Sequence, residues 1–256
     1  MTFKPSQMRD RYGNISVALD PPNPPINVSV TRYACQVRGY GTGQHERVMY
    51  KDRLYQASRP DRLGMSGSEF VDVFTGKGTV ANIENALRLA ARHRIYFHDG
   101  PAAGPSPGLT PEQGIRRVVD EYIGLDCNGF VGNWAMAAGL PAATPSRAPL
   151  DWLSYGTIRQ SLDEIKTFDL LIWFNGTHIA VVEMAYPSAN GSNRRDFYVA
   201  ESSTGGIQVH PYSISQGPTQ ATLSRNSHTY GTPFVGDTRI HGHDFRIFVV
   251  GPNGIV

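Results

Sequence analysis

Three segments of the chain repeat apolar residues at the spacing of an amphipathic helix. The first covers residues 79–92. The second covers residues 111–123, where Thr110-Pro111-Glu112-Gln113 forms a capping box with proline at the first helical position. The third runs over residues 127–138, with Asp126 as its N-cap and a Gly-Leu-Pro stop after it. The pattern therefore predicts three helices, each with one buried face.

The last third of the chain changes to the pattern of an antiparallel sheet. Residues 170–174 and 178–184 are β-rich apolar runs on either side of Asn175-Gly176, a strong hairpin-turn signal. A further strand is predicted within residues 26–40, whereas residues 41–78 predict irregular structure. Three more strands are predicted at 197–202, 207–212 and 245–250. Helices followed by an antiparallel sheet predict an α+β fold.

The composition narrows the class of protein. The chain has 256 residues, of which 40% are hydrophobic and 18% charged, which is typical of a globular protein. The net charge is +2, and the sequence contains no run of five like charges, so no nucleic-acid partner is expected. No apolar stretch approaches about 20 residues, which predicts no membrane span.

The N-terminus shows no apolar run of signal-peptide length. We therefore expect a soluble protein made in the cytoplasm, which reaches a periplasm or a target cell by a signal-independent route if it acts outside. The Gly- and Pro-rich loop 99–110 predicts a boundary between two parts. The first part comprises residues 1–105, and the only roles we expect for it are targeting or covering the second part. The second part comprises residues 106–256 and contains the more specific motifs.

Cys127 is the first candidate for chemistry because it lies in the first turn of the third predicted helix. The thiolate is the nucleophilic form of cysteine, and the unpaired N–H groups and dipole of a helix start favour that anion. The same N–H groups can form an oxyanion hole. The small neighbours Asn128 and Gly129 leave this turn open to a substrate carbonyl.

His178 is the candidate base, since it begins a buried strand directly after a tight turn. There the imidazole can point out of the end of the sheet. Residues that face each other on two antiparallel strands have residue numbers with a constant sum. If strand 178–184 pairs with strand 196–202, that sum is about 379 to 380, so that His178 faces Glu201 or Ser202. Glu201 is the predicted third member, because a carboxylate would fix the tautomer of the imidazole and stabilise the imidazolium.

The remaining cysteine and histidines do not predict a metal site. Cys35 lies in a strand pattern and is expected to be inert core. Neither cysteine has a second ligand at metal spacing, and the segment 241–244, His-Gly-His-Asp, lacks a further ligand. We therefore expect no metal and no other cofactor.

The residues around these candidates resemble motifs of the NlpC-type cell-wall peptidases and CHAP amidases. Residues 125–131, Leu-Asp-Cys-Asn-Gly-Phe-Val, are similar to their DCSGFV motif, and residues 139–141 are similar to the LP that ends the same helix. Residues 169–174 resemble their GDLVFF strand, and residues 177–182 resemble their HVGIY strand. Residues 199–203 lie where that family carries its third polar residue.

The resemblance covers about residues 110–250 and implies a papain-like fold, in which a helix bearing the cysteine packs on an antiparallel sheet bearing the histidine. It implies hydrolysis of amide bonds in peptidoglycan stem peptides through a Cys127 thioester, with no cofactor. Asp126, Asn128 and Ser202 are the expected oxyanion and substrate-binding neighbours. Asn128 stands where the family carries Ser, and the predicted helix 111–123 replaces its Gly- and Tyr-rich segment.

Three functions follow from these observations as hypotheses. The first is a wall hydrolase, either a phage lysin or a secreted antibacterial effector with an immunity or delivery protein as partner. The second keeps the fold but acts on proteins as a deamidase, acyltransferase or protease. The third is an inactive papain-like scaffold used for binding, against which the presence of both Cys127 and His178 argues.

Overall fold

The computed structural model of the chain describes residues 3–34, 44–59, 61–96, 108–141, 143–173, 176–187, 193–216, 221–225, 228–230 and 248–252. Its contacts divide the chain into two units. The helical unit comprises Arg9–Asp126 and Ser202–Gly206; the sheet unit comprises Met1–Met8, Cys127–Glu201 and Ile207–Val256. The predicted boundary at 105/106 lies outside the described residues, and the helix that follows it groups with the helical unit.

The elements before residue 127 are mostly helical. In chain order they are α1 (Pro5–Gly13), β1 (Ile15–Val17), β2 (Ile26–Val28), α2 (Gln44–Ala57), α3 (Gly67–Phe74), α4 (Val80–Arg92) and α5 (Pro111–Tyr122). The two short strands pair antiparallel. The predicted strand within residues 26–40 is thus confined to Ile26–Val28 among the described residues, and Cys35 lies outside them.

The two predicted helices of this unit are confirmed, and both begin where local side chains satisfy the first N–H groups. Thr79 caps α4 by accepting from the Asn82 N–H at 3.1 Å. Thr110 and Gln113 form the predicted capping box of α5. The predicted apolar faces of both helices are buried. Local sequence therefore determines these two elements.

The prediction of irregular structure over residues 41–78 is wrong, since α2 and α3 lie there. The start of α3 has a sequence pattern typical of a helix N-terminus, since Ser66 and Glu69 form a reciprocal capping box. Helix α2 has a weak apolar pattern and is held by tertiary contacts, because Tyr50 and Leu54 are fully buried and the Tyr50 ring stacks on Tyr122 at 4.3 Å. Packing here outweighs local pattern.

The sheet unit begins with α6 (Cys127–Ala137) and continues mainly as strands. These are β3 (Gly156–Ile158), β4 (Leu170–Trp173), β5 (His178–Ala185), β6 (Arg194–Ser203), β7 (Gly206–Gln216), β8 (Ala221–Arg225), β9 (His228–Tyr230) and β10 (Phe248–Pro252). Two 3-10 turns, Pro149–Ser154 and Leu162–Glu164, lie between α6 and β4. In the described residues the strand order is β3-β10-β4-β5-β6-β7-β8-β9.

This sheet confirms the predicted α+β class and most of the predicted strands. The described ladders are antiparallel, and β4 and β5 form the predicted hairpin, with Trp173 opposite His178. Helix α6 packs against β5 with Phe130, Val131 and Trp134 fully buried. The first residue of the helix and the first residue of the strand are thereby set at one end of the sheet unit.

Candidate active site

Cys127 is the first residue of α6 and a free thiol. Its side chain is nearly enclosed, since the residue is only 4% exposed. The Sγ atom lies 3.8 Å from the carbonyl oxygen of Thr177 and 3.9 Å from Oδ1 of Asn128. The thiol is thus directed toward the turn that precedes β5.

His178 begins β5 and reaches both Cys127 and a carboxylate. Its Nε2 lies 2.9 Å from Oε2 of Glu201, and Cys127 is close enough to raise the pKa of the imidazole. The Trp173 ring contacts the imidazole edge-on, with centroids 4.4 Å apart and planes at 72°. The Glu201 hydrogen bond and the Trp173 contact hold the ring in one orientation, with Nε2 facing the carboxylate.

The predicted register between the strands that carry His178 and Glu201 is wrong by one to two residues. Val181 pairs with Ala200, so that the residue numbers of facing residues add up to 381. A bulge shifts this sum to 382 at the pair Met184 and Tyr198. Continuing the register toward His178 places Glu201 opposite Ala180. Because side chains alternate along a strand, Glu201 still shares a face with His178, and the two meet diagonally.

Glu201 is 1% exposed and both of its oxygens are occupied. Besides accepting from His178 through Oε2, it accepts through Oε1 from the Tyr212 hydroxyl at 3.0 Å and from Nη1 of Arg225 at 2.8 Å. A buried carboxylate is stable only when it is paired and hydrogen-bonded. These three donors from β5, β7 and β8 meet that requirement.

The electrostatics of the pair favour the charged forms. Burial lowers the pKa of His178, but hydrogen bonds and charge interactions with Cys127 and Glu201 outweigh burial and raise this pKa from 6.5 to about 9. Burial raises the pKa of Glu201, while the hydrogen bonds from His178 and Tyr212 and the charges of His178 and Arg225 bring it below its ordinary value. At neutral pH the pair is therefore an imidazolium and a carboxylate.

The remaining predicted site residues have different surroundings. Asn128 lies beside the thiol, as described above. The carboxylate of Asp126 forms an ion pair with Nζ of Lys77 at 2.6 Å, and the fully buried Ser202 hydroxyl donates to the carbonyl of Leu125 at 2.8 Å. Both contacts are within the helical unit. A role of Asp126 and Ser202 in substrate binding stays a prediction.

Three residues around Glu201 were missed by sequence reasoning: His210 and Tyr212 on β7, and Arg225 on β8. Nη2 of Arg225 lies 2.6 Å from Nε2 of His210, which extends the network one residue further. Strand β7 was predicted, but nothing local in it distinguishes Tyr212 from an ordinary core aromatic. Strand β8 was not predicted at all, so its arginine had no predicted place in the sheet.

The arrangement contains the parts of a nucleophilic triad. A thiol at a helix start can attack a carbonyl carbon, an adjacent imidazole can move the proton, and a carboxylate on its far nitrogen can hold the imidazole. Within the described residues no group of three or more His, Cys, Asp or Glu could hold a metal ion. The segment 241–244 lies outside those residues. No described helix is long and apolar enough to cross a membrane.

Comparisons of the chain with protein-family models, with curated proteins and with solved structures found no match. The resemblance to the wall peptidases therefore rests on the short sequence motifs around Cys127 and His178 and stays a prediction.

Proposed function

We propose that the chain is a papain-like cysteine hydrolase that cleaves amide bonds, with Cys127 as nucleophile, His178 as acid and base, and Glu201 as the group that orients His178. The observation that carries this proposal is the convergence of three residues: the Cys127 thiol lies against the carbonyl of Thr177, next to His178, and His178 is hydrogen-bonded to Glu201. The nucleophile begins a helix and the base begins a strand, which is the order and placement expected of a papain-like enzyme.

The chemistry follows from the two nitrogens of the imidazole. With Nε2 donating to Glu201, the His178 imidazolium already holds the proton of the thiol on Nδ1, and the Cys127 thiolate attacks the carbonyl carbon of the amide. The N–H groups at the start of α6 lack acceptors within the helix and stabilise the resulting oxyanion. When the C–N bond breaks, His178 gives its proton to the leaving amine, and the acyl group remains on Cys127 as a thioester.

The second half of the cycle reverses these roles. His178 takes a proton from water, and the hydroxide so formed attacks the thioester carbon. The C–S bond breaks, the carboxylic acid leaves, and the proton stays on His178, which restores the imidazolium beside the thiolate. Water is the co-reactant, and the enzyme is restored without any cofactor.

The substrate that the motifs favour is the stem peptide of bacterial peptidoglycan. The support is the order and spacing of four motifs, at residues 125–131, 139–141, 169–174 and 177–182. A phage lysin or a secreted antibacterial effector would use such an activity, and an effector would have an immunity protein as partner. A protein substrate in a host cell is the alternative that the same site allows.

Digestion of purified peptidoglycan tests the substrate. We expect the wild type, and not the Cys127→Ala variant, to release new muropeptides, whose masses in mass spectrometry identify the bond that is cut. The Cys127→Ala variant is a suitable control because it removes only the thiol group and keeps the β-carbon. Absence of products from a folded wild type whose Cys127 still reacts with a thiol probe would contradict the wall substrate and favour a protein substrate.

The pH dependence of hydrolysis should show the protonation of His178. Because the pKa of His178 is raised to about 9, its imidazolium is present at neutral pH and is lost as the pH rises through about 9. The leaving amine then lacks its proton donor, so kcat/KM should fall above that pH. On the acid side, Glu201 should stay ionised until the pH is below its ordinary pKa of 4.5. A profile measured from pH 3 to 10 checks both limbs, and activity that still rises at pH 10 would contradict the assignment.

A further inference from the structure

We infer that Arg225 is a positioning residue of this site: its guanidinium holds the Glu201 carboxylate charged and aimed at His178 throughout the reaction cycle. The inference deepens the proposed function and rests on it. The guanidinium of Arg225 bonds Glu201 and His210, so its effect on His178 is exerted through Glu201.

The geometry of Arg225 is that of a two-ended clamp. Nη1 donates to Oε1 of Glu201 at 2.8 Å, while Nη2 lies 2.6 Å from Nε2 of His210. The guanidinium carbon also lies 5.8 Å from the centroid of the Tyr212 ring. A planar guanidinium that contacts two partners through separate nitrogens is fixed in position and in plane. Arg225 is itself mostly enclosed, its side chain being 21% exposed.

His210 is suited to receive the second end of the clamp. Burial and the nearby charge of Arg225 lower the pKa of His210, while the Glu201 charge opposes them less strongly. The neutral imidazole can accept the Arg225 N–H at Nε2. The titratable and charged groups that face this clamp within the described residues are therefore Glu201, His210 and Tyr212, with His178 beyond Glu201.

The need for a permanent cation arises from the catalytic cycle. His178 is a cation only while it carries the extra proton, and it gives that proton to the leaving amine when the thioester forms. At that point a buried Glu201 would face a neutral imidazole and a neutral Tyr212 hydroxyl. In the part of the chain that the structure describes, Arg225 is the cation that remains beside the carboxylate. Without it, burial would favour protonation of Glu201, and the orienting charge would be lost.

Proton NMR titration of the His178 imidazole tests this inference without needing a substrate. The His178 signal is assigned by its absence from the His178→Gln variant. In Arg225→Met we expect the His178 pKa to rise by about 1 or more relative to the wild type, because loss of the His178 proton would then leave the buried carboxylate with no cation beside it. Arg116→Met, which removes an exposed arginine from α5, is the matched control and should leave the titration unchanged.

Two further variants separate charge from hydrogen bonding. Arg225→Gln keeps donors but removes the charge, and it should raise the His178 pKa as Arg225→Met does; it also decides the question if the Met variant does not fold. Arg225→Lys keeps the charge and should restore most of the wild-type value. An unchanged His178 titration in the folded Gln or Met variant would overturn the inference.

Activity gives the second readout. With the amide substrate found by digestion, Arg225→Gln should lower kcat about 10- to 100-fold with little change in KM, since the residue touches no substrate. A rise in KM with unchanged kcat would overturn the positioning role. If the wild type cuts no amide substrate, the proposed function fails, whereas the titration still decides whether Arg225 controls the Glu201–His178 pair.

Discussion

His178→Gln should lower the rate of amide hydrolysis by at least about a thousandfold, since positioned acid–base catalysis contributes on the order of 10²–10⁴ and triad members act as a unit. Glutamine can keep a hydrogen bond to Glu201 and approximates the volume of the imidazole. It cannot accept the thiol proton or return it to the leaving amine. The measurement is kcat/KM on a muropeptide substrate at neutral pH.

The matched control for this variant is His93→Gln. His93 lies at the end of α4 in the helical unit and belongs to no part of the proposed mechanism. We expect it to keep kcat/KM within about twofold of the wild type. Retention of more than a tenth of the wild-type rate by a folded His178→Gln would show that the imidazole does not move the proton.

Glu201→Ala should affect both stability and activity. The change removes the acceptor of three donors at once and leaves the mostly enclosed Arg225 cation and the buried His178 without their carboxylate. Removing one partner of a buried ion pair costs about 3–5 kcal/mol of unfolding free energy. We expect a loss in that range by urea denaturation, and a fall in kcat of about a hundredfold or more in the fraction that folds.

The comparison variants for Glu201 are Glu201→Gln and Glu112→Ala. Glutamine keeps the shape and one acceptor oxygen, so its stability should lie between those of Ala and the wild type. Glu112 makes an exposed ion pair with Arg116 on α5, and its removal should change the unfolding free energy by less than about 1 kcal/mol. Equal stability of Glu201→Ala and the wild type would contradict the buried network.

The helices and the hairpin that could be predicted are those with strong local signals. The Thr110–Gln113 capping box determines where α5 begins, and the positive φ of Gly176, 78°, agrees with the tight turn predicted before β5. Helix α2 could not be predicted because its apolar spacing is irregular. It depends on the burial of Tyr50 and Leu54, which only the tertiary structure provides.

The residues of the candidate site also fall into those that local sequence predicts and those that only the tertiary structure reveals. Cys127 and His178 have informative neighbours in sequence, and the structure brings them together with Glu201. Glu201 was predicted from an incorrect register of the two strands, because His178 and Glu201 meet diagonally rather than directly opposite. The position of Arg225 beside Glu201 depends on the order β6-β7-β8 across the sheet, and no local sequence pattern contains that information.

The central claim is that His178 activates Cys127, and the alkylation rate of Cys127 by iodoacetamide at pH 6 tests it most directly. Peptide mass mapping follows Cys127 separately from Cys35, and the same reaction in denaturant corrects for intrinsic thiol reactivity. We predict that Cys127 reacts at least about tenfold faster in the wild type than in His178→Gln, because the imidazolium stabilises the thiolate. Equal rates in the two folded proteins would contradict the account and identify Cys127 as an ordinary buried thiol.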